Sequence, residues 1–407
     1  MQQIKVCVDN EEVGSLFKEA QANRFVFNYS KDYKPISLIM PYKASSYIWT
    51  NRLHPVFDMY IPEGYLFELF RNILAKEYGY VDDYIVFSYI CSNIESRLTF
   101  KSELKRSEFP IFDLDDILND DSQDTFSKLI SAFLKKNSLG GVHPKTIALL
   151  KSKESFTEKD YILKTWGAEY DQLALNEYFC LKAVEKTGVP IPKILLSSQN
   201  KFLLVERFNY DKKNSRYIGF EEILVLLGKN KDEKYSGSYE KIAEVICNVT
   251  TDACDSLRNF YKIIVMNYLL KNGDAHLKNF GILYAQDSGN NTKIWLAPAY
   301  DVVNTVVYSH KDKPALTMFG KKLWFGKSDL IKFGVNHCNL TESEAAGLYE
   351  ISIKALKESI NQLSDYIKTN PKFSDVGKKM LNVWRLSLDE KTYKEVPLEL
   401  TRNRPLD

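Results

Sequence analysis

The chain has 407 residues, 44% of them hydrophobic, with 55 Lys+Arg against 53 Asp+Glu for a net charge of +2. That length holds two or three domains with a large core, and the balanced charge gives no reason to expect this chain alone to grip nucleic acid by counterion release. No run approaches the roughly 18 consecutive apolar residues of a spanning helix, and Met-Gln-Gln-Ile-Lys lacks a signal-peptide layout, so a cytoplasmic protein, neither secreted nor membrane-bound, is expected.

Taken in order, residues 1–105 alternate strand-like runs (Ile4 to Val8, Arg24 to Tyr29, Ile85 to Cys91, Leu98 to Phe100) with one helix around Tyr65 to Glu77, an α+β pattern. Residues 106–210 open on a linker, Ser107 to Gln123, with a short helix at most. A glycine-containing turn follows, Ser138-Leu-Gly-Gly-Val-His-Pro-Lys-Thr146, leading into the apolar run Ile147 to Leu150. Gly140 and Gly141 let the backbone approach a ligand closely, so the turn can cover phosphates or can simply join two strands. Asp160 to Lys164 is strand-like and ends in a lysine, which serves either to hold phosphates or as a solvated edge charge. Next come a helix, Leu173 to Val184, carrying Glu177, and a β-branched and aromatic strand, Phe202 to Phe208, ending in Glu206-Arg207-Phe208.

Residues 211–407 turn mainly helical, with helices over Phe220 to Gly228, Tyr239 to Cys247, Leu257 to Leu270, Glu342 to Asp365 and Asp375 to Leu386. Phe280 to Tyr284 and Lys293 to Leu296 read as a β-hairpin across Asp287 to Asn291. The six cysteines, Cys7, Cys91, Cys180, Cys247, Cys254 and Cys338, form no CxxC pair. They read as reduced core thiols, Cys247 and Cys254 as two residues sharing a buried face.

Chemistry concentrates between the last central helix and the hairpin, in Asn272-Gly-Asp-Ala-His-Leu-Lys-Asn279, followed by Leu296-Ala-Pro-Ala-Tyr-Asp301. An aspartate, an asparagine five positions later and a second aspartate past a short β segment are the groups that phosphoryl-transfer enzymes of the kinase type place around ATP and magnesium. Asp274 would point at an acceptor hydroxyl, while Asn279 and Asp301 would offer Mg²⁺ the hard oxygens it requires. Lys164, with Glu177 as a possible orienting partner, would hold the phosphates. Main-chain groups of Glu206 to Phe208 would meet the adenine edge and the Phe208 ring its face. The same Asn-Gly-Asp also fits a plain turn, and Asp301 a solvated loop.

These motifs resemble the HipA family of serine/threonine kinase toxins. The D-x-H-x-K-N pattern stands here as Asp274-Ala-His276-Leu-Lys278-Asn279 and L-x-P-x-Y-D as Leu296-Ala-Pro298-Ala-Tyr300-Asp301. N-E-Y/W stands as Asn176-Glu177-Tyr178 and V-E-R-F as Val205-Glu-Arg-Phe208. In the N-terminal region, Pro35-Ile-Ser-Leu-Ile-Met-Pro41 and Pro55 to Gly64 are similar to segments characteristic of the family. This chain departs from it in having His143 where many members carry a loop glutamine, and Asn209 where an aspartate is usual.

The resemblance implies a protein-kinase-like two-lobed α+β fold: a mixed α/β N-terminal lobe, a mainly helical C-terminal lobe and an extra N-terminal α+β subdomain. It implies ATP and Mg²⁺ as cofactors, held by Gly140, Gly141, Val142, His143, Lys145, Lys164, Glu206, Arg207, Phe208, His276, Lys278, Asn279, Tyr300 and Asp301, with Asp274, His276 and Lys278 catalytic and Ser138 autophosphorylated. It further implies a small DNA-binding antitoxin of the HipB type, DNA contact only through that antitoxin, and a protein substrate in translation, an aminoacyl-tRNA synthetase above all. A small-molecule phosphotransferase of the aminoglycoside-kinase type shares the Gly-Asp-x-x-x-x-Asn spacing, and a catalytically dead kinase fold kept for partner assembly is the non-enzymatic alternative.

Overall fold

The computed structural model describes residues 3–19, 23–63, 67, 71–72, 74–75, 78–102, 112–122, 145–151, 158–164, 170–286 and 291–389. Its contacts divide the chain into two compact units, Met1–Thr165 with Ser197–Glu233, and Trp166–Leu196 with Lys234–Asp407.

The first unit begins with β1 (Gln3–Val8), β2 (Glu11–Glu19), β3 (Arg24–Tyr29), β4 (Tyr47–Thr50) and β5 (Leu98–Lys101), which form an antiparallel sheet in the order β4-β3-β2-β1-β5. Asp9 and Asn10 join β1 to β2 with φ of 51° and 68°, left-handed values that Asp and Asn tolerate and that match the twist of a two-residue hairpin. Gly14 in β2 is required by space, since a Cβ there would stand 2.2 Å from the Asn28 carbonyl oxygen on β3.

The segment predicted as a strand over Ile85 to Cys91 is instead helix α1 (Asp83–Ile90). Its β-branched and aromatic composition favours a strand, but Asp82 caps it by accepting from Ile85 N at 3.0 Å. The helix then buries Tyr84, Phe87, Ser88 and Cys91 at helical spacing. The Phe87 ring lies 5.1 Å from that of Phe100 on β5 and 5.9 Å from that of Phe57. The helix predicted around Tyr65 to Glu77 lies mostly outside the described residues.

A second sheet in this unit contains β6 (Phe112–Asp113), β7 (Lys145–Lys151), β8 (Glu158–Lys164) and β9 (Leu203–Glu206). β6 runs parallel to β7, and β8 pairs antiparallel with β7 on one side and β9 on the other. The predicted linker supplies β6 and a short helix, Leu114–Asn119, and its Asp121 is buried, accepting from Ser197 Oγ at 2.6 Å and Gln199 N at 2.9 Å. Phe220 to Gly228, predicted as one helix, is a strand, Gly219–Glu222, followed by a single helical turn, Ile223–Leu226; Gly228 ends it at φ 67°.

The second unit is mainly helical: α2 (Leu173–Glu185), α3 (Tyr239–Val249), α4 (Ala253–Leu270), α5 (Lys327–His337), α6 (Glu342–Thr369) and α7 (Ser374–Leu388), with a hairpin of β10 (Gly281–Gln286) and β11 (Thr292–Leu296). The sequence predicts α2 as part of the 106–210 segment. Its apolar face packs within the second unit, the Phe179 ring lying 5.0 Å from Tyr366 on α6 and stacking at 5.9 Å on Phe373. Helix α5 has no counterpart among the elements the sequence predicts; its Gly334 brings it against α4, where a Cβ would meet the Tyr261 ring at 2.8 Å.

The two cysteines expected to share a core face do not. Cys247 is half-buried on α3 and Cys254 is exposed on α4, because the chain turns between the helices. Cys7, Cys91, Cys180 and Cys338 are buried thiols, as expected. No helix among the described residues is long and apolar enough to cross a membrane.

Candidate active site

Helix α4 stops at Lys271, which takes the left-handed conformation at φ 58° and closes the helix end in the manner usually reserved for glycine or asparagine. Asn272 locks the exit: its N–H donates to the Asn267 carbonyl and its Nδ2 to Asn267 Oδ1, both at 2.8 Å. The Asn272 Oδ1 accepts from Asp274 N at 3.1 Å, so the residue before the glycine aims the loop at Asp274. His276 N donates to the Asp274 carbonyl at 2.8 Å, and a short 3₁₀ turn, Leu277–Asn279, leads into β10.

Gly273 is fixed from two sides. Its N–H donates to Thr305 Oγ at 2.8 Å, and a Cβ would fall 2.1 Å from Asp312 Oδ2 and 2.8 Å from Thr305 Oγ. The Asp312 carboxylate can swing away, but Thr305 is held by its own bond to the Lys271 carbonyl at 3.3 Å. Gly273→Ala is therefore expected to displace the loop, destabilising the protein by about 1–3 kcal/mol and lowering activity more than the melting temperature alone explains. Thermal denaturation and turnover measured together check this, and wild-type values of both would show that the loop has room.

Behind the loop, Lys271 is buried with its ammonium 4.9 Å above the Trp324 ring, and burial pulls its pKa down to about 7. Trp324 Nε1 donates to the Asp312 carbonyl at 3.1 Å. The rear of the loop is thus packed and hydrogen-bonded.

The segment carrying Asp301 is drawn to the same place. Tyr300 donates its hydroxyl to the Lys278 carbonyl at 2.8 Å, and the Asp301 carbonyl accepts from Asn279 Nδ2 at 3.3 Å and Asn272 Nδ2 at 3.5 Å. Asp301 holds φ at 54°, an uncommon conformation for a non-glycine residue and one that clusters at functional sites. Three residues on, Asn176 of α2 clamps the Asn304 main chain, accepting from its N–H at 2.9 Å and donating to its carbonyl at 3.0 Å.

The Asn279 amide bears directly on metal binding. With Nδ2 donating to Asp301, its Oδ1 is buried and finds no hydrogen-bond partner among the described residues, a costly arrangement unless something else satisfies the oxygen. A hard cation would do so, with the Asp301 carboxylate as the anionic oxygen such a site needs. The residues present fit Mg²⁺.

Asp274, His276, Lys278, Asn279, Tyr300 and Asp301 thus come together in the second unit. His276 and Lys278 are buried at 7% and 6% exposure, unlike surface loop residues. The sequence missed Tyr235, whose hydroxyl donates to Asp274 Oδ1 at 2.8 Å, along with the supporting roles of Asn176, Asn272 and Thr305. Nothing periodic marks Tyr235; it sits in the short run before Ser238, the N-cap of α3.

Lys164, Glu206, Arg207 and Phe208 belong to the first unit. Lys164 is 5% exposed on the inner strand β8, the register partner of both Lys145 and Leu203, so it is not an edge charge. The Glu206 side chain pairs with Lys212; that of Arg207 pairs with Glu95 at 3.8 Å and lies 4.9 Å from the Tyr217 ring. Any adenine contact from these two falls to their main chain. Phe208 is partly buried, its ring 5.4 Å from that of Phe220. Lys145 begins β7, whereas Ser138, Gly140, Gly141, Val142 and His143 lie outside the described residues.

Residues 4–93 match the model of the HipA N-terminal domain and residues 137–365 that of the HipA-like C-terminal domain. A provisionally named kinase of Haemophilus influenzae is 31% identical over 187 residues, covering 42% of this chain and 53% of that protein. Another such kinase, Y4dM of Sinorhizobium fredii, is 25% identical over 207 residues, 45% of this chain and 49% of that protein. The chain thus spans about half the length of these curated relatives. Among solved structures, HipA in the complex of Shewanella oneidensis HipA, HipB and operator DNA superposes with a TM-score of 0.69 over 95% of this chain and 97% of that one, at 16% identity, a shared fold. The second of the two domain matches alone takes in more than half the sequence, including Asp274, Asn279 and Asp301, and the chain belongs to the HipA family.

Proposed function

We propose that this protein is an ATP- and Mg²⁺-dependent protein serine/threonine kinase, the toxin of a toxin–antitoxin pair acting in the bacterial cytoplasm. The observation that carries this reading is the Asn279 amide, turned by Asp301 so that a buried oxygen awaits a cation one short loop away from Asp274. In this scheme Asp274 accepts a hydrogen bond from the acceptor serine or threonine, orients its oxygen toward the γ-phosphate and takes its proton. Asn279 Oδ1 and the Asp301 carboxylate hold Mg²⁺, which when bound offsets the negative charge of the phosphates.

Lys164 holds the phosphates, as do the main chain of Gly140, Gly141, Val142 and His143 and the side chain of Lys145. Main-chain groups of Glu206 to Phe208 receive the adenine. His276 and Lys278, buried beside Asp274 and Asn279, support the transferring phosphoryl group, and Tyr300 ties the metal loop to the Lys278 carbonyl. The partner is a small DNA-binding antitoxin of the HipB type, through which alone the protein meets DNA; that a HipA of the same fold was solved with HipB and operator DNA supports this. The substrate is a protein of translation, with aminoacyl-tRNA synthetases the favoured class. Mass spectrometry of phosphopeptides after brief induction, against an Asp274→Asn control, tests the whole reading. New phosphoserine or phosphothreonine only in the wild type supports it, and identical phosphoproteomes overturn it.

Ser138 is proposed as a self-limiting switch. A phosphate there adds about −1.5 to −2 charges beside a loop meant to attract ATP, so phosphorylation is expected to silence the enzyme. Intact-mass measurement during incubation with ATP and Mg²⁺ should show one added phosphate at Ser138 as activity falls. An unmodified Ser138 in an enzyme that still phosphorylates its target counts against the switch.

A further inference from the structure

Tyr235 lies just before α3 and is 45% exposed. Its hydroxyl nevertheless donates to Asp274 Oδ1 at 2.8 Å, a hydrogen bond to a carboxylate and so one of the stronger kind. The ring meets His276 edge-on at 5.2 Å, the Lys234 ammonium lies 5.4 Å from its centre, and the Tyr235 carbonyl accepts from Lys322 Nζ at 3.5 Å. The next residues are anchored as well: Leu277 N donates to the Lys234 carbonyl at 3.1 Å, and Thr317 N to the Gly237 carbonyl at 3.3 Å. The segment is therefore tied to the catalytic loop just before Tyr235 and to the Thr317 segment just after it.

A carboxylate at the end of a short side chain rotates readily about χ2, and a rotated base misses the acceptor hydroxyl. We infer that Tyr235 is a positioning residue for the Asp274 carboxylate, holding one of its oxygens so that the acceptor oxygen is met in a fixed orientation. This rests on the kinase reading of Asp274.

The test compares Tyr235→Phe, which keeps the ring against His276 and removes only the hydroxyl, with Tyr235→Ala and wild type. A degenerate serine/threonine peptide library serves as acceptor. Tyr235→Phe is expected to lower kcat about ten- to a hundredfold with the KM for ATP unchanged, and Tyr235→Ala no less. A kcat equal to wild type, or a rise in the KM for ATP that accounts for the whole loss, overturns the inference. A crystal structure of Tyr235→Phe decides independently of activity. The Asp274 carboxylate should leave its wild-type rotamer, and retention of that rotamer sinks the positioning role. Wild-type protein that transfers no phosphate to the library or to itself defeats the kinase reading instead, leaving the structural comparison to judge Tyr235.

Discussion

Asp274→Asn is expected to lower phosphoryl transfer by about 10²–10⁴-fold, the usual contribution of a positioned general base, while the protein melts within a degree or two of wild type. The amide is isosteric with the carboxylate, and the Tyr235 hydroxyl can still donate to its oxygen, so packing is kept while the negative charge that orients and deprotonates the acceptor is lost. Asp301→Asn should match it in size for a different reason: a neutral oxygen replaces an anionic one at a cation that takes only one or two protein ligands. The two variants separate on metal dependence. Raised Mg²⁺ should recover part of the Asp301→Asn activity and none of the Asp274→Asn activity. Full turnover in either variant at ordinary Mg²⁺ would remove that residue from the machinery.

Lys164→Ala is expected to weaken ATP binding or misplace its phosphates, and Lys164→Arg should fail to restore function, because a planar fork does not replace a compact ammonium in a crowded phosphate site. Its position sharpens the expectation. A lysine 5% exposed on an inner strand, register-paired with Lys145 on one side and Leu203 on the other, carries a desolvation cost that a surface charge does not. Calorimetric titration with ATP and a turnover assay on both variants decide the matter, and wild-type values throughout would leave Lys164 a structural cation.

Much of the candidate site was legible because its signals are local. Asp274 and Asn279 stand in one loop, and the predicted helix before it and hairpin after it are α4 and the β10–β11 pair. Polar residues in fixed order between an apolar helix and a β run are visible without coordinates. Errors came where composition and context disagree. Ile85 to Cys91 is rich in strand-forming residues, yet the Asp82 cap and a sheet waiting to be covered make it a helix. Helix α5 was not predicted at all, and its Gly334 meets a packing requirement imposed by Tyr261 on α4.

The family and the α+β class were readable from the sequence, and so was the clustering of Asp274, Asn279 and Asp301 around one helix-to-hairpin connection, since each depends on residue type and short-range spacing. That Asn279 turns its amide nitrogen to the Asp301 carbonyl and keeps its Oδ1 buried came only with the tertiary structure. It alone decided that Asn176 clamps Asn304 from 128 positions away, that Tyr235 reaches back to Asp274 across 39, and that Lys164 is an inner-strand residue. Side-chain orientation and contacts between distant segments follow from how whole elements pack, and a linear pattern carries no record of that packing.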